Sequence, residues 1–205
     1  MYLIFDIESS GLITMNSVGP YRYPSFRHLN KFDTARVVSI SWIIADKDGK
    51  LIKQAYHIIR NLDFIIDNNS KAVEIHGITQ EIATEQGINW HDMYDEFIED
   101  VHKCDTLVAH NIQFDVSVML SEMFRYNKQD GITAFLSKRR LCTMRMGKKA
   151  MESKKNPKLT ELYKFFFNEE MQNAHNASYD TLFCQQCFEK MLAMPHIKDE
   201  FVLNV

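Results

Sequence analysis

The sequence predicts an α/β fold in which helices cover both faces of a β-sheet. Three observations support this prediction: runs of strand type come first, helical apolar periodicity follows, and a short apolar run separates two of the helices. The chain has 205 residues, which is enough for a sizeable core, and we expect a single domain over residues 1–205.

The first part of the chain carries the strand patterns. Residues 2–7 form a short apolar run, and residues 37–45 are rich in β-branched and aromatic side chains. Asp46-Lys47-Asp48-Gly49 is typical of a hairpin turn, which leads into a third strand over residues 51–59. Residues 13–36 lie between the first two strands and contain two proline turns, so they predict a loop insertion near the end of the first strand.

Helical periodicity dominates the rest of the chain. Apolar residues recur on one face of a helix that starts near Asn89, and residues 113–126, 159–167 and 176–194 show the same pattern. A short apolar run at residues 107–109 predicts a buried strand between the first two of these helices.

The composition is that of an ordinary globular protein, with 45% hydrophobic residues and a net charge of −3. The overall charge therefore does not indicate a nucleic-acid partner, but residues 138–158 contain one acid, Glu152, among many bases. This basic strip suits a phosphate backbone, and a solvated surface explains it equally well. Its basic residues are Lys138, Arg139, Arg140, Arg145, Lys148, Lys149, Lys154, Lys155 and Lys158.

The sequence gives no indication of secretion or of a membrane. The first residues lack a basic segment, and no apolar run approaches the roughly 20 residues of a membrane span. We expect an intracellular protein, in the cytoplasm or the nucleus, with reduced cysteines. Cys184 and Cys187 have the spacing of half a zinc site or a redox pair, but we interpret them as two buried side chains one helical turn apart.

Two carboxylates mark the end of the first strand. Asp6 and Glu8 are two residues apart, so both project from the same face of the strand. Gly11 follows shortly and permits a tight backbone turn near a ligand. Two carboxylates on one face of an apolar strand favour a site for a hard divalent cation over a simple solvated strand end.

Two further acids and one histidine complete the candidate site. Asp115 follows a predicted buried strand and opens a helix, where the helix dipole alone would also favour an acid. Asp180 lies among apolar neighbours of the last helix, where an inward carboxylate needs a partner such as a metal ion. His175 lies five residues before Asp180 and is a candidate general base.

These segments, taken together and in order, resemble the DnaQ-like, or DEDDh, family of 3′→5′ exonucleases. The chain from Asp6 to Leu12 is close to the first motif of that family, with serines where the family has threonines. His110-Asn111-Ile112-Gln113-Phe114-Asp115 is similar to the second motif, and the segment 175–180 matches the third. Asn176 stands where the tyrosine type of the family has tyrosine, so the histidine type is indicated.

The resemblance implies an RNase H-like fold, with a five-stranded mixed sheet flanked by helices. It implies release of nucleoside 5′-monophosphates from the 3′ end of nucleic acid, with DNA as the first expectation. An exoribonuclease on the same fold is the nearest alternative, and a nuclease-dead nucleic-acid-binding module is the third. The implied site consists of two Mg²⁺ or Mn²⁺ ions on four carboxylates and a base that takes the proton of the attacking water: Asp6, Glu8, Asp115 and Asp180, with His175 as the base.

The resemblance also implies contacts with the substrate, a single-stranded or frayed 3′ end. Ser9, Gly11 and Leu12 are expected to contact the terminal nucleotide. His76 lies in a segment similar to one that lines the nucleotide pocket of relatives, and Phe114 is a candidate stacking residue for which a core role is equally consistent. A polymerase or another replication or repair protein stays open as a partner. We do not expect a stable association with a polymerase, because the long C-terminal tail that tethers the bacterial proofreading subunit has no counterpart here.

Overall fold

The computed structural model describes residues 1–15, 23–60, 63–171 and 176–203. Within these residues the chain forms a five-stranded sheet in the order β3-β2-β1-β4-β5. Strand β1 pairs with β2 in the antiparallel sense and with β4 in the parallel sense, so the sheet is mixed, as predicted. The strands are β1 (Tyr2–Ser9), β2 (Val37–Ala45), β3 (Leu51–Ile58), β4 (Thr106–Ala109) and β5 (Arg139–Cys142).

Helices follow the first three strands and alternate with the last two. They are α1 (Lys71–His76), α2 (Gln80–Gln86), α3 (Trp90–Lys103), α4 (Ile112–Arg125), α5 (Gln129–Ser137), α6 (Thr143–Ala150), α7 (Leu159–Phe167), α8 (Ala177–Leu192) and α9 (Pro195–Lys198). A π-helical turn over residues 199–203 ends the described chain. None of the helices within the described ranges is long and apolar enough to cross a membrane.

The central strand β1 divides the core into two layers, because its side chains alternate between the faces of the sheet. Leu3, Phe5 and Ile7 pack with helices α3, α4 and α5 on one face. Tyr2 and Ile4 pack with helices α6, α7 and α8 on the other face. The even-numbered residues of β1 therefore face α8, and Asp6 and Glu8 continue this even-numbered row.

The longer predicted elements agree with the structure. Helix α3 begins after the cap residue Asn89, and α4, α7 and α8 lie within one or two residues of their predicted bounds. The buried cysteines of α8 are confirmed as core side chains, since Cys184 is 1% exposed and Cys187 is fully buried. Strand β5 and the short helices α1, α2, α5 and α6 had no counterpart in our sequence prediction.

One local prediction was wrong. The early position of Thr160 in α7 predicts that it caps this helix, but the side chain of Glu161 accepts a hydrogen bond from the backbone N–H of Lys158, at 2.9 Å. The helical period of α8 predicts that Leu182, Phe183, Cys187, Met191 and Leu192 face inward, and all five belong to the core on this side of the sheet or pack against it. Leu182 and Phe183 are only partly buried, whereas Phe188 is fully buried.

The segment 13–36, predicted to be a loop insertion, contributes to the core in its described part. Phe32 and Ala35 are fully buried, and one short 3₁₀ turn, Leu29–Lys31, precedes them. The backbone N–H of Thr14 donates to the carbonyl of Lys31 at 2.9 Å, which ties the two described ends of the segment together. Residues 16–22 lie outside the described residues.

A buried ion pair anchors the end of this segment. The guanidinium of Arg36 donates to both carboxylate oxygens of Glu122 in α4, at 2.5 and 3.1 Å, and both side chains are almost fully buried. Asp63 accepts a further hydrogen bond from Arg36, at 2.9 Å. The backbone N–H of Arg36 also donates to the hydroxyl of Ser10, so the ion pair is linked to the turn that follows β1.

We expect Glu122→Ala to lower the free energy of unfolding by about 3 kcal/mol, because it removes the buried carboxylate that pairs with the Arg36 cation and leaves Arg36 with the half-exposed Asp63 and the hydroxyl of Tyr126. Urea unfolding of the purified variant measures this loss. Glu99→Ala removes an exposed ion pair with Lys103 and serves as the matched control, with an expected loss under about 1 kcal/mol. Equal losses in the two variants would contradict the prediction.

Candidate functional site

Three carboxylates converge at the end of β1. Oxygen atoms of Asp6, Glu8 and Asp180 all lie within 4.8 Å of one another. Asp6 and Glu8 share a face because they are two residues apart in the strand, and this is the face on which α8 packs. Oxygen ligands at such a separation are suited to a hard divalent cation.

Asp180 reaches this cluster because of its position in the buried stripe of α8. Ala177, Cys184 and Cys187 lie on the same side of the helix and are buried against the sheet. Asp180 occupies the place in the first turn where the stripe reaches the end of β1. An acid at this place in an apolar stripe is explained by the polar cluster that it joins, not by the packing of the helix.

Asp115 joins the cluster from α4. It is only 3% exposed, and its negative charge raises the pKa of Asp6, so the two carboxylates are close enough to interact. The backbone N–H groups of Ile7 and of Asp115 itself hydrogen-bond the carboxylate of Asp115 and favour its charged form. The structure thus brings together all four predicted acids.

Crowding makes the charged forms of these acids costly. Burial and the neighbouring carboxylates raise the pKa of Asp6 well above its ordinary value. Burial, followed by Asp180 and Asp115, raises the pKa of Glu8 to about 8. Burial raises the pKa of Asp115 to about 8 as well. A divalent cation among these oxygens would remove the repulsion, so the residues present fit such an ion.

His175 lies outside the described residues, so its predicted role as a base stays a prediction. The described chain resumes at Asn176, whose side-chain oxygen accepts a hydrogen bond from the N–H of Ser178 at 3.0 Å and caps α8. His175 therefore directly precedes, in sequence, the cap of the helix that carries Asp180.

A cavity of about 560 Å³ adjoins the carboxylates, and all five residues predicted to contact the substrate line it. We call it the Phe114 cavity. Its volume lies in the range of small-molecule sites, and Glu8 is part of its wall. The five predicted residues are Ser9, Gly11, Leu12, His76 and Phe114.

Phe114 combines the two roles that the sequence left open. Its ring contacts the ring of Tyr23 edge to face, with 6.0 Å between centroids, and packs against the core. The same side chain lines the cavity. Leu12, in contrast, is 79% exposed, so it is free to contact a molecule that enters the cavity.

The turn after β1 depends on Gly11. A Cβ atom at this position would lie 2.7 Å from the backbone oxygen of Thr34, closer than real contacts allow. The hydroxyl of Thr34 donates to the carbonyl of Leu12 at 2.8 Å. Thus the end of the segment 13–36 holds the turn that carries Ser9, Gly11 and Leu12.

Helix α1 places His76 in the wall of the cavity. Ser70 caps the start of α1 with its side chain, and Gly77 ends the helix in the left-handed conformation, with φ of 75°. The N–H of Ile78 donates to Nδ1 of His76 at 3.0 Å, which fixes the ring. Our sequence analysis missed this helix and its cavity residue Lys71, although a serine cap followed by glycine is a usable pattern.

A second cavity, of about 480 Å³, also adjoins the carboxylates. Asp6 and Asp180 line it, together with His110 and the loop around Asn156 and Lys158. We call it the His110 cavity. Since Glu8 lines the Phe114 cavity and is within 4.8 Å of Asp6 and Asp180, the two cavities meet at the carboxylates.

His110 holds the loop beside this cavity. Its Nε2 lies 3.1 Å from the carbonyl oxygen of Pro157, which can only accept, so Nε2 carries the proton. Its Nδ1 lies 3.1 Å from the hydroxyl of Thr143 at the start of α6. Burial lowers the pKa of His110 to about 4.

Comparison with solved structures identifies the fold. E. coli exonuclease I in complex with a dT13 oligonucleotide matches 97% of this chain with a TM-score of 0.72 and 18% identity. An exonuclease I from Methylocaldum szegediense matches 98% of the chain with a TM-score of 0.69 and 17% identity. The fold is therefore the RNase H-like fold of these enzymes, as predicted.

The sequence comparison identifies the family. A family model described as an exonuclease, RNase_T, matches residues 3–188, and the chain belongs to this family, within the DnaQ-like 3′→5′ exonucleases. DNA polymerase III subunit epsilon of Buchnera aphidicola subsp. Acyrthosiphon pisum is 30% identical over 112 residues, which are 55% of this chain. The match spans 46% of that subunit, and the chain spans 42% of each exonuclease I, so it covers less than half of these relatives.

We expect His110 to make the protein less stable in acid. The unfolded chain binds a proton at this histidine below about pH 6.5, whereas the folded protein does not until about pH 4, so stability falls between these values. Over this range the wild type should lose on the order of 1–3 kcal/mol of unfolding free energy through His110, and His110→Gln should not show this loss. Urea unfolding of both proteins at pH 7, 5.5 and 4.5 measures it. A constant difference between them at all three values would contradict the prediction.

Proposed function

We propose that this protein is a divalent-metal-dependent 3′→5′ exonuclease that removes nucleoside 5′-monophosphates from the 3′ end of DNA. The observation that carries the proposal is the arrangement of Asp6, Glu8 and Asp180 within 4.8 Å of one another, beside a cavity lined by the five predicted substrate residues. Family membership supports the same reaction class.

The proposed metal site uses four carboxylates. Asp6, Glu8, Asp115 and Asp180 would hold two Mg²⁺ or Mn²⁺ ions, which are hard cations with a preference for oxygen ligands. When bound, such ions stabilise charge on the attacking and leaving oxygens of a phosphodiester. Glu8 of this set lines the Phe114 cavity, and Asp6 and Asp180 line the His110 cavity, so the proposed metal site lies where the two cavities meet.

In this proposal the Phe114 cavity holds the terminal nucleoside. Phe114 offers an aromatic face and Leu12 an exposed apolar side chain, and such contacts tolerate every base. Ser9 and Gly11 follow Glu8 closely in the chain and line the same cavity. The terminal phosphodiester then lies at the carboxylates, where the bond to the 3′ oxygen of the preceding nucleotide breaks.

His175 is the proposed base. It takes one proton from the water whose oxygen attacks phosphorus, and the 3′ oxygen of the shortened strand leaves and gains a proton. The mononucleotide product keeps its phosphate at the 5′ position. An unperturbed histidine titrates near pH 6.5, so its neutral form is available at neutral pH.

DNA is the proposed substrate because of the relatives. The Buchnera relative is a DNA polymerase subunit, and E. coli exonuclease I is described in complex with dT13. An RNA substrate is the alternative to test, since recognition of a 2′-hydroxyl depends on details of the pocket. We also propose a polymerase as a partner, and the support for this is that the Buchnera relative is a polymerase subunit.

Incubation with end-labelled strands tests the proposal. Single strands of DNA and RNA, labelled at the 3′ or the 5′ end, are incubated with Mg²⁺, Mn²⁺ or excess EDTA. We expect the 3′ label to be released as a mononucleotide in the first step, whereas the strand that carries the 5′ label should shorten stepwise. DNA should be degraded faster than RNA. Full activity in EDTA would refute the metal site, and release of the 5′ label first would refute the polarity.

We expect Asp6→Asn and Asp180→Asn to reduce turnover to near background, because each removes a charge from the ligand cluster. Calorimetric titration with Mn²⁺ should show weaker binding in both variants. Asp92→Asn changes an exposed acid of α3 and is the matched control, with unchanged metal affinity and rate. If Asp180→Asn binds Mn²⁺ and turns over like the control, Asp180 is not a ligand.

We expect His175→Ala to lower turnover by about 10²–10⁴-fold, the usual contribution of a positioned base, with metal affinity retained. Single-turnover rates and Mn²⁺ titrations on the same samples measure both properties. His102→Ala, an exposed histidine of α3, is the control. A loss of metal affinity as large as that of Asp180→Asn would make His175 a ligand, and no loss of rate would make it structural.

A further inference from the structure

The basic strip contains two groups of cations that differ in their side-chain surroundings. Lys138 donates to the carbonyl of Cys104 at 2.7 Å, and Arg139 donates to the carbonyl of Val202 at 2.7 Å. Lys155 forms an ion pair with Glu161 at 3.1 Å. These three cations have partners within the protein, which makes them poor candidates for phosphate contacts.

The other group lines cavities that continue from the active site. A cavity of about 590 Å³ is lined by Arg140 and Arg145, and it shares Met144 and Asn156 with the His110 cavity. We call it the Arg140 cavity. Because Met144 and Asn156 belong to both walls, the Arg140 cavity adjoins the His110 cavity, which Asp6 and Asp180 line.

A third cavity, of about 710 Å³, extends the same depression. We call it the Lys148 cavity. It shares Arg145 and Asn156 with the Arg140 cavity and adds Lys148 and Lys149 to the lining. The His110, Arg140 and Lys148 cavities adjoin one another in this order through shared wall residues, and together they form a groove that leads away from the carboxylates.

Helix α6 explains why the cations face this groove. Its buried residues Met146, Gly147 and Ala150 lie on one side, against the core. Arg145 and Lys148 are three residues apart on the other side and are exposed. In the described part of the chain neither of them has an ion-pair partner, whereas Lys149 pairs with Glu200 at 3.1 Å.

The charge of the groove suits a polyanion. The Arg140 and Lys148 cavities contain four cations, Arg140, Arg145, Lys148 and Lys149, against two acids, Glu152 and Glu200. The whole chain has a net charge of −3, so the groove is a local exception. A positive stretch on an acidic protein attracts phosphates at this place and repels them elsewhere.

We infer that this groove binds the single strand on the 5′ side of the scissile phosphate, with Arg140, Arg145 and Lys148 contacting successive phosphates. The inference rests on the proposed function, which places the terminal nucleoside in the Phe114 cavity and the scissile phosphate at the carboxylates. In this arrangement the strand leaves the carboxylates through the His110 cavity, which Asp6 and Asp180 line. The preferred substrate is accordingly a tail of several nucleotides, not a dinucleotide.

Two substrates of different length test this inference. A thymidine dinucleotide has only the scissile phosphate, whereas an oligothymidylate of about 12 nucleotides also fills the groove. Arg145→Glu/Lys148→Glu should raise KM for the long strand about tenfold and lower the slope of log binding constant against log salt by about 1.4, since each single-strand contact contributes about 0.7. Its kcat/KM for the dinucleotide should equal that of the wild type.

The control variant comes from the same strip. Lys154→Glu/Lys155→Glu makes the same change in net charge at residues that line none of the three cavities, and it should leave the salt slope unchanged. An equal rise in KM for the long strand in both variants would overturn the inference that the groove binds the strand. An equal loss of kcat/KM for both substrates would overturn it as well.

Binding separates failure of the groove from failure of the proposed function. Fluorescence anisotropy with a labelled 12-mer is measured in the Asp6→Asn background, where no cleavage is required. If the wild type cleaves neither substrate, the proposed function fails, and the anisotropy slopes still decide on the groove. If cleavage occurs but the salt slopes measured with and without Arg145→Glu/Lys148→Glu coincide, the inference about the groove is wrong and the proposed function stands.

Discussion

The packing of helix α8 against the central strand β1 is the contact on which the site depends. Tyr2 and Ile4 of β1 contact Phe188 and its neighbours in α8, with 4.9 Å between the ring centroids of Tyr2 and Phe188. This apolar contact continues the even-numbered row of β1 up to Asp6 and Glu8. Asp180 meets them because it lies on the same stripe of α8. Thus the apolar interface between β1 and α8, followed along α8 for about two helical turns from Phe188 to Asp180, determines where three carboxylates converge.

Convergence of carboxylates opposes folding, and the surrounding core supplies the free energy that holds them together. Burial and mutual repulsion raise the pKa of Asp6, Glu8 and Asp115, so the charged cluster is unfavourable without a cation. The core on both faces of β1 contributes the opposing hydrophobic free energy. Such repulsion among buried carboxylates is typical of a functional site, because neutral side chains would be easier to bury at this place.

The segment 13–36 joins this framework to the substrate cavity. Thr34 holds the turn of Gly11 and Leu12 through backbone and side-chain contacts, and Arg36 is fixed by Glu122 in α4. Since α4 also carries Asp115, one buried ion pair connects the wall of the Phe114 cavity with the carboxylate cluster. The segment is therefore part of the site's scaffold as well as a loop.

Sequence by itself determined the parts whose physics is local. The two-residue period of β1 placed Asp6 and Glu8 on one face, and the helical period of α8 predicted a buried stripe with buried Cys184 and Cys187. Long amphipathic helices such as α3 were predicted because many residues contribute to one pattern. The order of the acidic motifs indicated the family, and the match over residues 3–188 confirms it.

Only the tertiary structure decided the features that depend on distant partners. Strand β5 begins with Arg139 and Arg140, so nothing in its sequence suggests a strand, and it exists because it pairs with β4. Helix α1 is too short to show a period, yet it carries His76 into the cavity. The basic strip looks uniform in sequence, whereas the fold gives Lys138 a carbonyl partner and leaves Lys148 facing a groove. A charge has the same chemistry in every context, but its role is set by neighbours that come from elsewhere in the chain.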